Sequence, residues 1–224
     1  MDEENNKDVI EEKDQDNQQD NENNDKEENK EKNNDEKENK EEENKENETV
    51  DIIPPEEAKE IISAKSNEVI NFIKNKEFEK LAKYVHPEKG VRFTPYTHVS
   101  VDDDIVFSKE EMKNFFKNDK SYLWGHYDGK GNEIKLTPRD YYSEFIYNKD
   151  FAEADEIGYN KVLSSGNMLE NQFKIYDNPI VVEYYFPYFE EEYKGMDWQS
   201  LRLVYEKYND EWYLVGIIHN QWTI

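Results

Sequence analysis

The chain has 224 residues, with 54 acidic against 29 basic side chains, a net charge of −25 and no cysteine. That balance excludes a nucleic-acid surface, which needs clustered Lys and Arg, and the only arginines, Arg92, Arg139 and Arg202, are scattered. The missing cysteines exclude disulfides, thiol catalysis and Cys-based zinc or iron–sulfur centres, and no apolar run approaches the ~18–20 residues of a membrane helix.

Residues 1–49 hold 22 Asp or Glu, 8 Lys and 12 Asn, with no aromatic, Gly or Pro. So little apolar surface cannot offset chain entropy, so a disordered acidic tail is expected over 1–53. It reads as a solvated spacer, or as a segment that captures a basic partner or cations. All 31 aromatic residues lie at Phe72 or later, and 54–224 is expected to fold as one domain with its own core. Met1-Asp2-Glu3-Glu4 lacks the basic start and apolar centre of a secretion signal, which taken literally gives a cytoplasmic chain. A long charged leader before a compact domain also suits a surface-tethered protein whose signal has been removed.

Pro54-Pro55 followed by Glu56 and Glu57 opens a helix, with Ala58, Ile61, Ile62, Val69, Phe72 and Ile73 as its stripe. A second helix is expected from Glu77 to Val85, ended by His86-Pro87-Glu88-Lys89-Gly90. Val91–Val101 reads as extended, broken at Pro95, and Asp102-Asp103-Asp104 turns into Ile105-Val106-Phe107. Ser108 and Glu111 form a capping box for a helix through Phe116. Thr137-Pro138-Arg139-Asp140 starts another, carrying Tyr141, Phe145 and Ile146. Ile157–Leu163 and Ile180–Phe189 read as strands, the second disturbed by Pro187.

From Asp197 to Ile224 the chain reads as a long hairpin. Leu201, Leu203 and Tyr205 form one side, then Asn209-Asp210 turns, then Trp212, Leu214 and Ile218 alternate with Tyr213, Val215 and Ile217. Helices first and strands last give an α+β class, with the helices on one face of a curved antiparallel sheet.

That order of elements resembles the NTF2-like (cystatin-like) cone. Three strings, His86–Tyr96, Trp124–Gly131 and Trp212–Ile224, are similar to a family of lipoproteins from low-GC Gram-positive bacteria that carries no known activity. The resemblance implies a lipid-anchored domain displayed outside the cytoplasm on a flexible tether. This chain lacks the lipid-bearing cysteine.

NTF2-like enzymes hold an acid–base pair inside the cone. The matching reading here pairs His86 or His219 with Asp128, with Arg92 holding an anionic substrate and Tyr96 donating a hydrogen bond. The same residues also suit plain architecture: His86 bonding backbone at a helix end, Asp128 capping its glycine turn, or Arg92 pairing with Asp128. Phe93, Tyr96, Trp124, Tyr127 and Trp222 offer flat faces for a sugar or peptide, and they suit a ring-filled core equally well. Asp128–Glu133 resembles half a calcium loop but has Glu133 where the sixth position takes Gly, and Asp102–Asp104 offers carboxylates for loose calcium binding; both read better as turns, nucleophile and phosphate motifs are absent, and no metal or cofactor is expected. The expectation is a non-catalytic domain binding a small molecule, glycan or peptide. The alternatives are a small hydrolase or isomerase, or a purely structural interaction protein; a homodimer through the sheet fits any of them.

Overall fold

A computed structural model describes residues 52–164 and 166–223. The expected tail up to residue 51, together with Ser165 and Ile224, lies outside these. Within them the chain is α+β: helices and a small hairpin cover one face of a six-stranded, curved sheet rich in antiparallel pairs.

Helix α1, Pro55–Lys74, has Pro in its first turn, Glu56 and Glu57 at its positive end and Lys74 at its negative end. It buries Ala58, Ile62, Ser66, Val69, Ile70 and Ile73. Ile61, assigned to the stripe by its spacing, is instead 40% exposed, and Ile70 takes the inward place. Ser66 sits among apolar neighbours because its hydroxyl meets those of Tyr184 (2.9 Å) and Tyr205 (3.2 Å) from the sheet.

The helix expected over 77–85 is one turn, α2 (Phe78–Leu81), followed by turns that still bury Ala82 and Val85. The short α3, Lys109–Lys113, carries both halves of the Ser108/Glu111 capping box. Beyond it the chain tightens to a 3₁₀ turn at Phe115–Lys117 rather than continuing as α-helix. Thr137 caps α4, Pro138–Tyr141, which widens into a π-turn over Tyr142–Ile146. A fifth single-turn helix, α5, spans Gln172–Ile175.

The sheet has strands β1 (Val91–Thr94), β2 (Ile105–Phe107), β5 (Glu156–Tyr159), β6 (Ile180–Phe186), β7 (Gln199–Tyr208) and β8 (Glu211–Gln221), in the order β2-β1-β8-β7-β6-β5. Strands β3 (Tyr122–His126) and β4 (Glu133–Leu136) make the separate hairpin. The sheet is not wholly antiparallel, because β1 runs parallel to β8.

The β7–β8 turn has positive φ at both Asn209 (48°) and Asp210 (65°), the mirror-image turn whose twist suits a hairpin. Alternation in β8 slips by one residue. Tyr205 faces Leu214 and Val204 faces Gly216, leaving Val215 as a bulge. Ile217, not Ile218, therefore joins Leu214 in the inner core, and Ile218 packs on the other face with Val204 and Val215.

That other face is also covered. Segments 95–104, 160–164 and 166–178 lie over it, with Val99 and Tyr176 packed on Val181, Val204, Val215 and Ile218. Gly216 allows this approach, since a Cβ there would stand 2.5 Å from the Tyr176 hydroxyl. The cover is tied down by charge. Arg202, fully buried, pairs with Glu183 (3.1 Å) and donates to Ser164 Oγ (2.9 Å) and Glu170 Oε1 (3.0 Å). Glu183 in turn accepts the backbone N–H of Leu163 at 2.6 Å. Among the described residues no helix is long and apolar enough to cross a membrane.

Candidate functional site

The inner face of β6, β7 and β8 is apolar along most of its length and turns polar at one end. Gln199 follows the inward row of Leu201, Leu203 and Tyr205, and stands opposite Gln221 on β8 and Phe186 on β6. Where this polar row meets the 187–198 connection, a cleft of about 370 Å³ opens. Its walls are Phe189, Tyr193, Trp198 and Trp222, and its polar lining is Lys149, Glu190, Asp197, Gln199 and Gln221. The volume is at the lower end of the ~300–1,000 Å³ usual for ligand sites, room for one small group or side chain.

Local structure holds these walls in place. One carboxylate oxygen of Asp197 accepts the backbone N–H groups of Phe189 (3.0 Å) and Glu190 (2.8 Å), folding the connection back on itself. The Trp222 N–H donates to the Trp198 carbonyl (3.1 Å), extending the β7–β8 pairing to the cleft's rim. The Lys149 ammonium lies 4.0 Å from the centre of the Phe189 ring, within cation–π range.

Two oxygens among the lining residues lack partners. Asp197 Oδ1 and Gln199 Oε1 are shut off from water and accept no hydrogen bond. An unmet buried acceptor costs about 1–3 kcal/mol, more when charged, so each gains from any donor that reaches it.

Behind the cleft, His219 Nε2 lies 3.2 Å from Gln221 Oε1, and its ring meets Phe145 edge-on at 5.6 Å. Its Nδ1 has no partner. Burial pushes the imidazole down to about 4, so it is neutral at physiological pH.

The residues singled out in the sequence fall in several places. His86 donates its backbone N–H to Leu214 O (3.0 Å), and its Nδ1 accepts from the N–H groups of Glu88 (3.2 Å) and Lys89 (3.0 Å). Leu214 and His219 are five residues apart on β8, roughly 15 Å of strand, so the two histidines mark separate sites. Arg92 and Phe93 point to opposite faces of β1. The Arg92 guanidinium donates to the carbonyls of Ser100 and Val101, both at 3.0 Å, and so secures the outer loop. Tyr96 OH accepts the Asp128 backbone N–H (3.3 Å), and burial raises its pKa.

Phe93 and Trp124 are core, Trp124 stacking on Tyr141 at 3.8 Å and donating to Leu136 O at 2.9 Å. Tyr127 packs half-buried against that core. Of the expected ligand-binding set, Trp222 lines the cleft. The rest of the lining, Lys149, Phe189, Glu190, Tyr193, Asp197, Gln199 and Gln221, lies outside the residues that the sequence marks. A signal existed: Gln199, His219 and Gln221 occupy inward positions at the end of a hairpin that is otherwise lined by Leu201, Leu203, Tyr205, Leu214 and Ile217.

Among the described residues no group of His, Asp and Glu is arranged to hold a metal ion. Comparison with protein families, with curated proteins and with solved structures gave no match.

Proposed function

We propose that residues 54–224 form a non-catalytic binding domain of NTF2-like fold that seats a small molecule, glycan or peptide in the cleft between Phe189, Trp198, Gln199 and Trp222. The observation that carries this reading is the pair of unpartnered acceptors, Asp197 Oδ1 and Gln199 Oε1, beside an aromatic-walled opening. Such a site gains when a ligand supplies the missing donors and its body covers the rings. Binding rather than turnover is supported by the surroundings of the histidines, whose hydrogen-bond partners are backbone groups and the Gln221 amide, not carboxylates. Display outside the cytoplasm on the acidic leader belongs to the same proposal and rests on the lipoprotein resemblance.

The test is an NMR titration of the isotopically labelled chain with a peptidoglycan disaccharide, a short basic peptide and a simple amine, each to millimolar concentration. Binding at the cleft shifts amides over 186–199 and 219–222 and the indole N–H signals of Trp198 and Trp222. Shifts confined to other regions, or none with any probe, overturn the proposal.

A further inference from the structure

On the reading that the cleft is a binding seat, its chemistry narrows the occupant. We propose that it takes a protonated primary amine, presented as a lysine side chain of a basic peptide. On its lining residues the unpartnered buried atoms, Asp197 Oδ1 and Gln199 Oε1, are both acceptors, and Gln221 Oε1 adds a third that carries one long bond from His219. An ammonium group has three N–H donors and no lone pair, so it meets this demand without bringing an acceptor to be satisfied in turn. A sugar hydroxyl brings both. Both oxygens are closed to solvent until a ligand arrives, so seating an ammonium takes a half-turn of each terminal group, in which Asp197 Oδ1 and Oδ2 exchange places and one of them still accepts the Phe189 and Glu190 N–H groups.

Charge points the same way. Glu190 and Asp197 line the cleft against the single cation Lys149. That cation rests on the Phe189 ring, showing that the wall accepts an ammonium group while other aromatic faces remain. Glu191 and Glu192 stand exposed next to the rim. Residues 50–224 carry 32 acids against 21 bases, a net −11, so a basic partner is drawn in from a distance. The peptide source follows from the apolar surface on the same connection. Tyr188, Tyr193 and Met196 are about half exposed, giving the neighbours of a seated lysine something to cover.

Calorimetric titration of the full chain tests this with tetralysine, its Nζ-acetylated form, n-butylammonium and a neutral disaccharide. Tetralysine is expected to bind, with at least tenfold loss on acetylation and at least tenfold loss in Asp197→Asn. The asparagine keeps an oxygen for the Phe189 and Glu190 N–H groups, and near-UV circular dichroism checks the fold; should it misfold, the acetylated peptide decides. Glu192→Gln removes the same charge outside the lining and should change affinity less than twofold. Equal weakening by both substitutions, or equal binding of the acetylated peptide, overturns the inference. If n-butylammonium binds as tightly as tetralysine, the amine stands and the peptide source falls. If the disaccharide alone binds at the cleft, the amine falls and the seat stands. If no probe binds, both fall.

Discussion

His219 has 1% of its surface exposed, and Asp104, close to the outer face, is mostly buried with Thr94 and Ser100 as its donors. Burial moves the two in opposite senses of acidity. The imidazole is pushed down from 6.5 to about 4, so between these values it is neutral when folded and charged when unfolded. Acidification through that window therefore destabilises the fold, by roughly 3 kcal/mol in all. The Asp104 carboxyl is raised from 3.8 to about 6, chiefly by desolvation, so it is neutral in the fold where the unfolded chain is ionised. Raising the pH through that window destabilises by roughly 2–3 kcal/mol, with partial solvent access trimming the figure. The two effects nearly cancel. His219→Gln should thus lose about 2–3 kcal/mol less than the parent chain between pH 7 and pH 4.5, and Asp104→Asn should lose correspondingly more. Urea unfolding at the two pH values measures both; parallel profiles for all three chains would show that neither group is tuned by burial.

The β7–β8 hairpin is the element that the sequence describes best. Its alternation is regular up to Tyr208, and Asn209-Asp210 is close to the preferred Asn-Gly of this turn. A non-glycine residue at positive φ carries a steric cost, so Asp210→Gly should stabilise the chain by about 0.5–1 kcal/mol, read as a higher urea midpoint with unchanged slope. The bulge was not legible for a simple reason: Leu214-Val215-Gly216-Ile217-Ile218 contains no polar residue to mark the phase. The caps at Ser108 and Thr137 were legible because one side chain and one N–H decide them. The second helix was too long in expectation because Phe78, Leu81, Ala82 and Val85 have helical spacing, while their burial is met by a turn. The cleft is not legible along the chain because it joins Lys149, the 187–198 connection and Gln221, which only the folded chain brings together.

Across the described residues the sheet is a middle layer, with helices and the small hairpin on one side and the segments over 95–104, 160–164 and 166–178 on the other. Alternation in β6 and β7 suggests that Glu183 and Arg202 face water, yet both are buried, because the outer segments fold over that face. Hydrophobic periodicity records which side of a strand is apolar, not whether the polar side is covered. Removing one partner leaves the other charge buried alone, so Arg202→Met should cost roughly 3–5 kcal/mol, and Arg202→Met with Glu183→Gln should recover more than half of it. Hydrogen exchange should show the amides over 160–164 and 166–171 opening faster in the single variant, while α1 stays protected. Uniform loss of protection would mean that the outer segments and the core unfold as one.

The pairing of Trp222 with Trp198 across the hairpin's end gives the protein an optical reporter of its own. Trp124 is sealed in the core and Trp198 nearly so, whereas Trp222 keeps 39% of its surface in water. An occupant that displaces that water should shift the emission of this one indole toward the blue, against a constant background from Trp124 and from the partly exposed Trp212 at the other end of the hairpin. Filling of the seat could then be followed by fluorescence in unlabelled protein.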